Sequence, residues 1–369
     1  MSTMGKIDSM RSGYVPEVQK IAVLRANRLG DFIFALPALE SLRFAYPEAE
    51  LVLLALPWHA CFLRQRPSPV NRVVVVPPCA GVSVKPGEAE DKDRLEQFFQ
   101  AMRQERFDLA CQLHGGGQYS NPFIVGLGAR ETVGLKAQDA MALDRWIPYH
   151  YFQHEILRYL EVVSLVGAAP LCHEPHLAVT EQDIVELEAV LPGQKRPLVV
   201  LHPGASDPRR RWPAEKFARV GDILTASGAT VVVTGMEPER RIVEQVTRTM
   251  RAESVNLCGC LSLGALAALL SRSCVVVSND SGPLHLAHAV GARTVGIYWC
   301  FNLMNGAPLS RLRHRPLVSW QLNCPICGCD HSHGHCSHSA SFVSDIPVEE
   351  VIASVQDLMA EYHNPNYDD

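Results

Sequence analysis

The stretch Cys274-Val275-Val276-Val277-Ser278-Asn279-Asp280-Ser281-Gly282-Pro283-Leu284-His285-Leu286-Ala287 decides the fold. A short apolar run, a tight polar turn and an Ala-rich helical pattern follow one another. That order predicts a strand, a turn and a helix start. The first N–H groups of a helix have no partner inside it, and the terminus carries partial positive charge. Phosphate oxygens are held well in such a place. An Asp at the C-terminal end of a strand in an open α/β sheet is a usual ligand contact. Asp280, Ser281 and His285 are therefore candidates for binding. A plain Asp/Ser helix cap would give the same local sequence, so the turn alone leaves both readings open.

Two other segments repeat the plan. Leu198-Val199-Val200-Leu201 reads as a buried strand and leads into His202-Pro203-Gly204-Ala205-Ser206-Asp207-Pro208-Arg209-Arg210-Arg211-Trp212-Pro213. Three consecutive Arg after a Gly-containing turn form a clamp suited to a polyanion, because the planar guanidinium gives paired hydrogen bonds. A solvated basic turn is the alternative. Near the N-terminus, Ile21-Ala22-Val23-Leu24-Arg25 is strand-like, and Ala26-Asn27-Arg28-Leu29-Gly30-Asp31 precedes an apolar helical pattern. Asp31 is placed at a helix start, where it serves either as a cap or as a working carboxylate.

The rest of the chain alternates in the same way. Leu51–Leu56, Val73–Val76 and Leu109–Gln112 read as strands, with helices over Pro37–Phe44 and Leu95–Glu105. The second half continues with helix Ala214–Ser227, strand Thr230–Thr234, helices Pro238–Met250 and Leu261–Leu270, strand Thr294–Tyr298 and a last helix, Pro347–Glu361. Alternation of this kind implies parallel sheets with helices on both faces. Gln112-Leu113-His114-Gly115-Gly116-Gly117 is a Gly-rich turn after a strand, either a ligand loop or a simple connector.

The chain's 369 residues suit two domains. With 47% hydrophobic and 20% charged residues it has the composition of a soluble globular protein. A net charge of -5 argues against general nucleic-acid binding. Met1 to Lys20 is polar and has no apolar core of a signal peptide, and no run reaches the length of a membrane span. The expectation is a cytoplasmic protein, with most of its 12 Cys reduced.

Taken together, Arg28-Leu29-Gly30-Asp31, His202-Pro203-Gly204-Ala205 with Arg210-Arg211-Trp212-Pro213, Gly235 with Glu239, and Asp280-Ser281-Gly282-Pro283 with His285 resemble glycosyltransferase family nine, the ADP-heptose heptosyltransferases of lipopolysaccharide assembly. The resemblance implies a GT-B fold, that is, two Rossmann-like α/β domains with an interdomain cleft. It divides the chain into an acceptor-side domain at 1–185, a nucleotide-sugar domain at 186–345, and a helix and tail at 346–369 that return toward the first domain.

The resemblance further implies an inverting, metal-independent transferase moving heptose from an ADP-heptose-type donor to a saccharide or glycolipid acceptor, at the cytoplasmic face of the inner membrane. Asp31 matches the catalytic base. Arg210 stands where the family pattern has Lys, and joins Asp31 in the catalytic set. Ser206, Arg209, Glu239, Asp280, Ser281, Gly282, Pro283 and His285 form the donor-binding set, with Glu239 on the ribose and Glu237 as its rival. No cofactor is required for catalysis. Another nucleotide sugar, a protein hydroxyl as acceptor, and a non-catalytic nucleotide-sugar-binding protein are the alternatives.

One segment stands outside this scheme. Cys324-Pro325-Ile326-Cys327-Gly328-Cys329 is followed by Asp330-His331-Ser332-His333-Gly334-His335-Cys336-Ser337-His338. Four Cys and four His so close together are not core packing. A Cys-x-x-Cys pair grips one Zn or Fe ion, completed by further Cys or His. Cys324, Cys327, Cys329 and Cys336 are the expected ligands of a structural ion, with Cys-plus-His sets, a disulfide and an empty cluster as alternatives. In some relatives that modify autotransporter proteins, such a set binds iron.

Overall fold

The computed structural model describes residues 13–193 and 197–362, so the extreme N-terminus, Gln194 to Arg196 and the tail from 363 lie outside the described residues. The chain divides into two compact units, Met1–Pro175 and His176–Asp369. The helix Glu181–Val190 packs against the helix Leu263–Ser271, which places it whole in the second unit. A boundary at 185 would have cut through it.

The first unit holds strands β1 (Lys20–Leu24), β2 (Glu50–Ala55), β3 (Arg72–Val75), β4 (Leu109–Gln112), β5 (Glu131–Lys136) and β6 (Arg145–Pro148). They form one parallel sheet in the order β3-β2-β1-β4-β5-β6. The second unit holds β7 (Leu198–His202), β8 (Thr230–Val233), β9 (Val255–Asn256), β10 (Val275–Asn279), β11 (Thr294–Trp299) and β12 (His314–Ser319). Its parallel sheet runs β12-β11-β10-β7-β8-β9. The two orders are equivalent, and each is a doubly wound arrangement.

Helices cover both faces of such sheets, so central strands must be apolar on both sides. This is why Leu198–His202 and Val275–Asn279 read as unbroken runs rather than alternating ones, and every residue of both is buried. Val199, Leu201, Val275, Val277, Val295 and Ile297 build the second core with Trp212, Phe217 and Phe342. Ala22, Leu24, Val52, Leu54, Ala110 and Phe123 build one of the first unit. The last helix, Val348–Tyr362, buries Val351, Val355 and Leu358 in the second core.

In each sheet the strand order reverses once, between β1 and β4 in the first and between β7 and β10 in the second. Ligands in open α/β sheets bind outside the carboxyl ends of the strands at this switch point. The turns after these four strands are Arg25–Asp31, Leu113–Gly117, Pro203–Arg211 and Asp280–His285.

Candidate functional site

In the second unit, the turn after β7 and the turn after β10 are tied together. Asn279 donates from its side-chain amide to the carbonyl of Pro203 at 2.8 Å and accepts from the backbone N–H of Trp212 at 3.0 Å. The Trp212 indole is fully buried and donates to Ile346 O at 3.0 Å. The Arg-rich turn is thus held at both ends. Asp207 caps its short 3-10 helix, Pro208–Arg210, by accepting from Arg209 N.

The three Arg have different occupations. Arg209 is turned onto Asp207, Nη2 to Oδ2 at 2.7 Å, and Arg211 donates from Nε to Ala205 O at 2.8 Å. Arg210 reaches across the switch point. Its Nη1 meets Asp280 Oδ2 at 2.8 Å and its Nη2 meets Ser206 Oγ at 3.0 Å. The other oxygen of Asp280 faces His285 Nε2 at 3.1 Å. Burial alone would raise the Asp280 carboxyl, but the hydrogen bond and charge of His285, then those of Arg210, hold it below the ordinary value. Arg210, Asp280, His285 and Ser206 therefore form one cluster. Ser281 is the N-cap of the helix Gly282–Ala289, with Pro283 in its first turn, and makes no side-chain bond to that helix.

Glu239 stands beside this cluster. It is buried, its Oε2 accepts from Met236 N at 2.9 Å, and His202 Nε2 lies 3.8 Å away. A Cβ at Gly204 would sit 2.2 Å from Glu239 Oε1, so a larger residue in the turn after β7 would push this carboxylate out of its present position. The rival Glu237 is exposed and paired with Arg240 at 2.6 Å. Burial, partly offset by Glu239, pushes the His202 imidazole down, so it is neutral near pH 7.

In the first unit, Asp31 lies in the first turn of the helix Leu29–Ala45. Its Oδ2 accepts from Arg28 N at 3.3 Å, and its Oδ1 from Arg25 Nη2 at 2.8 Å. Across the switch point, Gln112 donates to His114 O and Gly115 O, shaping the Gly-rich turn after β4. His114 is buried, and burial pushes it down to about 4.

The Cys/His loop lies in the second unit. Gly328, at φ +71°, closes a turn in which Gly328 N donates to Cys324 O and Cys324 N to Cys329 O, both at 2.9 Å. The amide of Cys327, with that of Ile326, also points at the Cys324 sulfur and draws the thiol down to about 6. The ligand atoms of Cys324, Cys327, Cys336 and His338 lie within 4.8 Å of one another, and Cys324 Sγ is 3.7 Å from His338 Nδ1. A tetrahedron with metal–sulfur bonds of about 2.3 Å has edges of about 3.8 Å, so this donor set fits Zn or Fe. The expected fourth ligand, Cys329, stays outside the group, and His338 takes its place. The Cys329 sulfur is turned elsewhere, 3.9 Å from Asp330 O and packed against the second core.

Sequence reasoning did not single out Asn279 or Arg25, and it left His338 among unspecified Cys-plus-His alternatives. Asn279 could have been found in the quoted stretch, since a polar side chain at the end of an apolar strand needs partners. His338 was one of four nearby His, and spacing alone does not choose among them.

Residues 95–321 match the model of glycosyltransferase family 9 (heptosyltransferase). The lipopolysaccharide heptosyltransferase 2 of Salmonella typhimurium is 26% identical over 297 residues, covering 76% of this chain and 82% of that protein. The lipooligosaccharide heptosyltransferase 2 of Haemophilus ducreyi is 24% identical over 289 residues, covering 73% and 80%. Among solved structures, the E. coli ADP-heptose lps heptosyltransferase II superposes with a TM-score of 0.74 at 18% identity, over 94% of this chain and 100% of that one. A family 9 glycosyltransferase from Veillonella parvula also gives 0.74, at 21% identity, over 93% and 97%.

Proposed function

The chain belongs to glycosyltransferase family 9 and is a glycosyltransferase of GT-B fold, and from that premise we propose that it is an inverting, metal-independent heptosyltransferase that uses an ADP-heptose-type donor. The observation that carries this reading is the Arg210–Asp280–His285 cluster with Ser206 at the switch point of the second sheet, next to the buried carboxylate of Glu239. A fixed cation beside a helix N-terminus serves a leaving diphosphate, and a buried acid serves vicinal ribose hydroxyls.

In this reading Asp31 accepts the proton of the acceptor hydroxyl. The oxygen attacks the anomeric carbon on the face opposite the nucleotide, and the bond from that carbon to the diphosphate breaks. The electron pair leaves with ADP, where Arg210, Ser281 and the N–H groups at the start of Gly282–Ala289 offset the growing charge. Arg209 supports the clamp through Asp207 rather than by direct contact with the diphosphate. Asp280 aims Arg210 and His285 and keeps lone pairs for a donor-sugar hydroxyl. Heptosyltransferase relatives named for lipopolysaccharide and lipooligosaccharide support a core saccharide or glycolipid as acceptor, met at the cytoplasmic face of the inner membrane. No helix among the described residues is long and apolar enough to cross a membrane, so contact with that surface would be peripheral.

Cys324, Cys327, Cys336 and His338 would hold one structural Zn or Fe ion, which stabilises the loop and takes no part in transfer. The deciding experiment is a donor panel with a heptose-deficient lipooligosaccharide as acceptor, read as release of ADP, UDP or GDP. ADP release from ADP-heptose, unchanged by EDTA, is expected. Preferential UDP or GDP release would overturn the donor assignment.

A further inference from the structure

Arg25 is the first residue beyond β1, yet its side chain is only 2% exposed. A buried guanidinium is costly unless its N–H groups are met. Here they are met in a particular pattern. Nη2 donates to Asp31 Oδ1 at 2.8 Å, and Nε donates to the main-chain oxygen of the same Asp31 at 2.9 Å. Nη1 donates to Leu113 O, beyond the end of β4, at 2.6 Å. The Tyr159 ring lies against the guanidinium, 4.9 Å from ring centre to Cζ, and its hydroxyl is bonded to Glu155.

A simple structural ion pair needs only the first of these bonds. The fork instead grips carboxylate and carbonyl of one residue, which fixes the rotation of the Asp31 side chain against its own backbone. It also locks that residue to the turn carrying His114, on the other side of the switch point. Oδ1 is taken up by Arg25. Among the described residues Oδ2 meets only the long 3.3 Å contact from Arg28 N, and the Asp31 side chain is 31% exposed. Oδ2 is therefore the oxygen left for an incoming hydroxyl.

We propose that Arg25 is the positioning residue of the transfer reaction, aiming Asp31 Oδ2 at the acceptor hydroxyl through the joint grip on Asp31 and Leu113. This rests on Asp31 being the base. Misplacing a reacting group by about 1 Å costs on the order of 100-fold, so Arg25→Ala should lower kcat by about 10- to 100-fold, with KM for donor and acceptor within about twofold. Methylguanidinium added to the assay should restore part of that loss in Arg25→Ala and none in Asp31→Ala. In the Asp31→Ala background, Arg25→Ala should cost almost nothing further, because what it aims is gone. Arg25→Lys keeps the charge and loses the planar fork; it should fall about tenfold in kcat, and it carries the test if the alanine variant does not fold. Wild-type kcat in both Arg25 variants, with Asp31→Ala inactive, would overturn the positioning role and leave the base standing. An undiminished Arg25→Ala loss in the Asp31→Ala background would reduce Arg25 to a structural residue. Wild-type turnover in Asp31→Ala would remove the base assignment itself.

Discussion

In the proposed reaction two carboxylates serve in different ways, and single substitutions separate them. Asp31→Ala would remove the proposed base and leave the nucleotide site in the second unit unchanged. Turnover should fall by about 100- to 10,000-fold, while ADP affinity by calorimetry stays near that of the wild type. Gly204→Ala does the reverse. Its methyl group would meet Glu239 Oε1 at 2.2 Å, and the carboxylate would have to swing away from where it is proposed to meet the ribose. Weakened ADP binding with an intact fold is expected, and an unchanged affinity would show that Glu239 does not touch the nucleotide. Within each unit the candidate residues were legible in the chain, because Asp31 in the first and Arg210, Glu239, Asp280 and His285 in the second all follow strand ends. The choice of Arg210 over Arg209 and Arg211 came from the family resemblance and was not legible in the residues themselves. Three adjacent cations look alike in sequence, and only the local partners, Asp207, Asp280 and the Ala205 carbonyl, distinguish them. Arg25 was hidden for a related reason: it reads as the polar end of a strand until its buried contacts are seen.

The element that links the Cys/His loop to the proposed donor site is the short segment after it. Phe342 N donates to Arg209 O at 2.8 Å, and Lys216 donates to Ser344 O and Ile346 O, each at 2.8 Å. The segment also accepts the Trp212 indole N–H through Ile346 O. A bound ion that fixes the loop would therefore steady the backbone of the Arg turn. Cys327→Ser should lower metal content below about a tenth of an equivalent, since one lost thiolate opens a four-ligand site. Thermal stability should fall as well, with donor affinity falling later or less. Protein that is fully folded and active without Zn or Fe would remove the structural ion from the account. Among elements, the central strands were readable because burial on both faces makes them continuous apolar runs. Strands β6 and β12 were not, and both lie at sheet edges. Each carries a proline, Pro148 and Pro316, that an edge strand tolerates and a central one does not. The strand Glu131–Lys136 escaped because Glu131, Gly134 and Lys136 interrupt its apolar pattern, although Gly134 packs its backbone close to Gln112.

Across the whole molecule, both units bury histidines that must stay neutral, and this sets an acid limit on stability. Burial pushes His59 down to about 3 and His114 to about 4 in the first unit, and His314 to about 4 in the second. His202 and His288 move in the same direction, again chiefly through burial. In the unfolded chain each returns to about 6.5. Between those values the unfolded chain takes up protons that the folded chain refuses, so folding is favoured less as pH falls. Stability is therefore complete above about pH 6.5 and drains away toward pH 4. Asp280 adds to the loss only lower down, because its carboxyl is held below the ordinary value and its contribution disappears as pH falls through that lowered value. Scanning calorimetry from pH 7.5 to about pH 4 should show a steady fall in melting temperature that begins near the free-imidazole value rather than near that of a carboxylate. His59→Phe, at a wholly buried site beside Phe32 and Trp58, should flatten part of the slope. A melting temperature that stays level down to pH 5 would mean that these imidazoles gain protons inside the folded protein, and that burial does not govern them.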